Sequence, residues 1–141
     1  MYLIDTNVIS ELRNDKTADR GVIEFMSTVT AKEQRCYLSV ITVGELHMGA
    51  AKIQHRGDTK QFIKLNEWID SMLKLYGDFI LPIDQEVSLI WAALRVPHHE
   101  NALDKLIAAT ALSHSLTLVT RNTKDFAKTG VPLFNPFSAS A

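Results

Sequence analysis

The strongest constraint in this sequence is a repeated change of hydrophobic period. Short apolar or β-branched runs at residues 2–4, 37–40, 79–83 and 117–120 read as buried strands. Helical stripes fill the gaps: Thr42, Leu46, Gly49 and Ile53; Phe62, Leu65, Ile69, Met72, Leu73 and Tyr76; Val87, Ile90, Trp91 and Leu94; Leu103, Leu106, Ile107 and Thr110. Strands alternating with helices predict an α/β fold, a short parallel sheet covered on both faces. With 141 residues, the chain can bury about two thirds of its unfolded surface around one core. We therefore expect a single domain over residues 1–137, followed by a small-residue tail, 138–141.

Composition excludes several classes. The single cysteine, Cys36, has no internal disulfide partner and no zinc-type spacing around it, which favours a reducing compartment and makes the cytoplasm the expectation. No apolar run approaches the ~20 residues of a bilayer span, and the N-terminus lacks the pattern of a signal peptide. Fifteen Lys plus Arg balance sixteen Asp plus Glu, so the chain is not a broadly basic nucleic-acid binder. The basic stretch at 52–64 reads as the solvated surface of a helix–loop–helix.

In a parallel sheet covered by helices, sites form at the carboxyl ends of the strands. The chain opens "MYLIDTN", so Asp5, Thr6 and Asn7 close the first strand. Thr120, Arg121, Asn122 and Asp125 follow the last one. Glu45 follows the second strand in "SVITVGEL", and Asp104 opens the helix "ALDKLIAATAL". Each acid has an ordinary alternative: Asp5 as a helix cap, Asp104 as a complement to a helix dipole, Asp125 as a turn residue, Glu45 as a solvated helical acid. Together they suggest convergence. Crowded carboxylates repel unless a cation neutralises them. Mg²⁺ or Mn²⁺ does so with oxygen ligands, and a pair of such ions can assist hydrolysis of a phosphodiester.

The segments "LIDTNVISEL", "SVITVGEL", "ALDKLIAATAL", "LVTRNTKDF" and the closing "VPLFNPF", in that order, resemble the PIN-domain ribonucleases, specifically the VapC-type toxins of VapBC toxin–antitoxin pairs. The resemblance runs from residue 2 to about 137. It implies a PIN-like α/β/α sandwich and a Mg²⁺- or Mn²⁺-dependent endoribonuclease that cleaves RNA. It also implies homodimerisation, neutralisation by a cognate antitoxin, and contact with DNA only through that antitoxin. Asp5, Glu45, Asp104 and Asp125 match the family's acidic metal-binding quartet, with Asp5 and Asp104 as the main ligands. Thr6, Asn7, Thr120 and Asn122 match its supporting polar residues. Arg121 is a candidate contact for RNA phosphate, with an ordinary surface arginine as the alternative.

Rival readings are weaker. A phosphotransferase of the haloacid-dehalogenase kind would carry a second Asp where Asn7 stands, and neither G-x-x-x-x-G-K nor G-x-G-x-x-G occurs. A PIN-like subunit of a DNA-binding repressor complex, with little or no nuclease activity, is the main alternative. His98, His99 and Glu100 could suggest a second metal site, but without a third spaced ligand they read as a polar loop ahead of a helix. Apolar Ile63, Trp68 and Leu75 lie off the main stripe of their helix, which suggests a homodimer or antitoxin contact, or else a fully buried helix.

Overall fold

Strand β1 (Tyr2–Ile4) is the centre of a five-stranded parallel sheet in the computed structural model, which describes residues 1–138. The strand order is β3-β2-β1-β4-β5, with β2 at Cys36–Ser39, β3 at Ile80–Leu81, β4 at Thr117–Val119 and β5 at Leu133–Phe134. Register follows the side-chain period of two. Leu3 pairs with Leu118 and Ile4 with Val119, so Leu3 and Leu118 face one layer while Ile4 and Val119 face the other.

The helices complete the two layers. Helices α1 (Thr6–Glu11), α2 (Arg20–Ala31), α3 (Val40–His55) and α4 (Thr59–Tyr76) pack on one face around Ile4, Val8, Val22, Leu46 and Ile69. Helices α6 (Ala102–Ser113) and α7 (Thr123–Phe126) pack on the other around Leu3, Ile107, Leu118 and Phe126, joined by Leu94 of α5 (Gln85–Leu94). The result is the expected α/β/α sandwich.

Boundaries differ where a side chain takes on a second task. The second strand stops at Ser39 because its hydroxyl accepts from the Ile41 N–H at 3.0 Å, which starts α3 at Val40. The third is only two residues long, with a 3₁₀ turn (Gly77–Phe79) before it and Pro82 after it. Of the stripe expected on α6, Ile107 and Thr110 are buried but Leu103 is exposed, and the buried face also takes in Lys105, Ala108, Ala109 and Ala111. Strand β5 and helix α2 had no expectation of their own. Of the tail expected at 138–141, residues 139–141 lie outside the described residues. Ser138 donates its N–H and hydroxyl to Asp19, the N-cap of α2, at 2.9 and 2.6 Å. No helix among the described residues is long and apolar enough to cross a membrane.

Candidate active site

Strand β1 lies where the chain order reverses on either side, between β2 and β4, and its carboxyl end is where a doubly covered parallel sheet opens a crevice. Asp5 sits there, 4% exposed. One carboxylate oxygen accepts from the Thr6 N–H at 2.8 Å, which caps α1. The other accepts from the Thr120 hydroxyl at 2.7 Å and from Asn7 Nδ2 at 3.2 Å. Asp5 is thus both a helix cap and part of the convergent site. Burial pushes its carboxyl above the ordinary range, hydrogen bonds from Thr120, Thr6 and Asn7 oppose the shift, and the charge of Asp125 adds to it.

The polar residues after β1 and β4 tie Asp5 and Glu45 into one frame. The Thr6 hydroxyl donates to Glu45 Oε1 at 2.7 Å and lies 3.0 Å from the buried Thr42 hydroxyl. Asn7 Oδ1 accepts from the Arg121 N–H at 3.1 Å, and the Asn122 N–H donates to Thr120 Oγ1 at 3.1 Å. Asn122 therefore acts through its backbone; its side chain makes no capping bond to α7. The Arg121 guanidinium lies over the Phe137 ring, 4.7 Å from its centroid.

Asp104 distinguishes a site from a set of caps. It lies in the first turn of α6, where the helix dipole favours the ionised form. Its pKa is nevertheless pushed up to about 6, first by burial, then by the charges of Asp5, Asp125 and Glu45. Burial and the three neighbouring charges together act against the helix, and the charges of Asp5, Asp125 and Glu45 all reach Asp104. Asp125 joins from the first turn of α7 and is itself exposed. Among the described residues, no three His, Cys, Asp or Glu side chains close into a ready-made chelate. A Mg²⁺ or Mn²⁺ ion commonly keeps waters and takes substrate oxygens besides one or two carboxylates, so it does not need such a chelate. All the donors are hard oxygens, the type that Mg²⁺ and Mn²⁺ take.

The PIN domain family model matches residues 2–132. The chain belongs to the PIN-domain family. Toxin FitB of Neisseria gonorrhoeae is 39% identical over 143 residues, covering 97% of this chain and 99% of that protein. The crystal structure of FitAcB from the same organism superposes with a TM-score of 0.83 at 38% identity, covering 96% of this chain and 98% of that one. VapC ribonuclease Y4jK of Sinorhizobium fredii is 32% identical over 142 residues, 97% of this chain and 98% of that protein. A toxin–antitoxin complex from Klebsiella pneumoniae contains a chain of 29% identity with a TM-score of 0.62, covering 99% of this chain and all of that one.

Several parts of this PIN domain had no individual sequence signal as site residues. Thr42 stood in the stripe of α3 but not as a partner of Thr6. Phe137 lay within "VPLFNPF" without a stated role. Other residues are of types that can bind metal or act as nucleophiles. His47 and His55 are exposed on α3, and burial pushes the Cys36 thiol up to about 11, so it stays protonated at neutral pH. His98 and Glu100 lie 3.9 Å apart in a polar loop ahead of α6.

Proposed function

We propose that this PIN domain is a metal-dependent endoribonuclease and the toxin of a VapBC-type pair, neutralised by a cognate antitoxin. The carrying observation is the crowding of acids around Asp104, whose carboxyl is pushed up to about 6 against the helix dipole. Burial is the largest cause of that shift, and the charges of Asp5, Asp125 and Glu45 add to it, which a lone capping acid would not have around it. Support also comes from relatives named as a toxin and as a VapC ribonuclease, and from a similar chain solved within a toxin–antitoxin complex.

Asp5 and Asp104 are the main ligands in this reading, and Glu45 and Asp125 assist directly or through water. A bound Mg²⁺ or Mn²⁺ would supply the positive charge that polarises an RNA phosphate and offsets the negative charge built up as its ester bond breaks. The chain's own residues supply placement. Thr120 and Asn7 hold one oxygen of Asp5, while the Thr6 N–H holds the other. Thr6 fixes one oxygen of Glu45. These bonds orient Asp5 and Glu45, and those on Asp5 oppose the upward push of its burial, which limits reorganisation when RNA arrives. Arg121, pinned on Phe137 beside Asn7, is the candidate RNA contact.

The repressor-only alternative leaves the acidic cluster without a use, although holding like charges together costs folding free energy. A homodimer, cytoplasmic location and contact with DNA only through the antitoxin complete the proposal. The deciding assay is cleavage of single-stranded RNA by the purified protein with Mg²⁺ or Mn²⁺, with and without excess chelator. Cleavage that needs the metal is expected. Cleavage undiminished by chelator would remove the metal, and absence of cleavage with either ion would favour the repressor reading.

A further inference from the structure

A cavity of about 170 Å³ opens beside Asp125, between α7 and the loop that leads into α6. Its charged lining is His98, Glu100, Lys105, Lys124, Asp125 and Lys128, so three ammonium groups face two carboxylates before His98 is counted. One water needs roughly 10–15 Å³ of such space, so a tetrahedral anion has ample room.

Lys105 is the unusual member. It is 5% exposed, and its ammonium donates to the His98 carbonyl, which uses one of three hydrogens. Among the described residues the only ion pair within 4.0 Å is His98 with Glu100, so none of these three lysines has a carboxylate at that distance. A buried ammonium without a counter-charge is costly, and a site that binds an anion relieves that cost. Asn101, which also lines the cavity, starts α6 without a side-chain cap, whereas α1 to α5 each have one. The first-turn N–H groups of α6 thus lack a capping acceptor, and a helix start favours an anion. Lys124 and Lys128 line the cavity from α7 and the turn that follows it and are exposed.

We propose that this cavity is a second anion site of the domain, which holds the RNA phosphate adjoining the one at the acidic centre. Asp125 is one of the four candidate acids and also lines the cavity, so the cavity adjoins the acidic centre that would take the strand. Glu100, fully solvated on the same rim, is the built-in competitor. Its carboxyl is held below the ordinary range first by a backbone hydrogen bond, then by the charges of Lys105, His98 and Lys128. The proposal rests on the nuclease reading for the identity of the strand, but not for the pocket's affinity for phosphate.

The test therefore uses binding, on the full chain in excess chelator. Inorganic phosphate, titrated at constant ionic strength and followed by amide NMR, should shift residues 101–105 and Thr129. The Lys124→Ala/Lys128→Ala double variant should weaken this binding at least tenfold, and Glu100→Gln should tighten it. Labelled single-stranded RNA should bind the double variant several-fold more weakly, with a log Kd against log salt slope shallower by about 0.7 for one lost phosphate contact. Absence of phosphate shifts in the cavity overturns the site. Phosphate binding with unchanged RNA affinity overturns its assignment to the strand. Failure of the nuclease reading would show instead as no RNA cleavage by the wild type with either ion, which leaves these two binding results free to decide the pocket.

Discussion

Thr120 donates its hydroxyl to Asp5 across 115 positions of sequence, at 2.7 Å, joining the ends of β1 and β4. The same oxygen accepts from the Asn122 N–H, and Asn7 Nδ2 approaches it at 3.3 Å. Thr120→Val removes the donor from a buried carboxylate and leaves an N–H without its acceptor. Hydrogen bonds to charged groups contribute about 1.5–3 kcal/mol, so a loss of that order is expected in urea unfolding. Because this bond opposes the upward push of burial on Asp5, the acid limb of the pH–rate profile should also move to higher pH. Thr120→Ser should restore both.

Metal binding should follow the protonation of the cluster. With the Asp104 pKa at about 6, protons compete with the cation as pH falls through that value. Mg²⁺ should raise the melting temperature clearly at pH 8 and little at pH 5. A ligand at 100 times its Kd stabilises by about 2.7 kcal/mol, which calorimetry resolves easily. An equal effect at both pH values would place the ion elsewhere.

The layout of this fold was readable in sequence because apolar period and post-strand position are local signals. Asp5, Glu45, Asp104 and Asp125 could be suspected together because each sits at a strand end or in the connection that follows. The second strand, by contrast, was displaced by one residue because Ser39 caps a helix, a choice made by one hydroxyl. Strand β5 is two residues between prolines, too short to show alternation. The tie between Asp19 and Ser138 and the seat of Arg121 on Phe137 depend on partners far apart in the chain, which no window of sequence displays.

That C-terminal tie yields its own prediction. A Cβ placed on Gly21 would lie 2.2 Å from the Pro136 carbonyl oxygen and 2.8 Å from the Ser138 nitrogen, both backbone atoms. Gly21→Ala should therefore displace the segment that carries Phe137, with a cost of about 1–3 kcal/mol typical of overpacking. Freed from its ring, Arg121 should lose order, and RNA affinity should fall if Arg121 contacts the strand. Amide NMR of residues 136–138 would detect the displacement.

Helix α4 is not the fully buried helix that its added apolar residues allowed. Ile63 is 49% and Leu75 71% exposed, while Trp68 is half-buried and shares a face with Leu75 at seven-residue spacing. If that face meets a second copy or the antitoxin, Leu75→Glu should weaken the association measured by analytical ultracentrifugation without lowering the melting temperature of the monomer. Unchanged association with both partners would exclude the face.

Asp104→Asn separates a ligand from a cap most sharply. The amide keeps the shape but loses the charge that holds a cation, so cleavage of RNA should be abolished. Metal-free stability should move the other way. The folded-state pKa of Asp104, about 6, is raised above its unfolded value near 3.8, so this group's contribution is fully present below about pH 4 and is lost as pH rises through 6. The variant, which cannot ionise there, should match the wild type at pH 4 and melt higher at pH 8. A residue that served only the helix dipole would give the reverse: intact cleavage, and a variant less stable by at most about 1 kcal/mol at pH 8, where the lost charge would have helped. Unfolding at the two pH values, alongside cleavage by the same variant, discriminates the roles, because loss of activity through misfolding would lower stability at both.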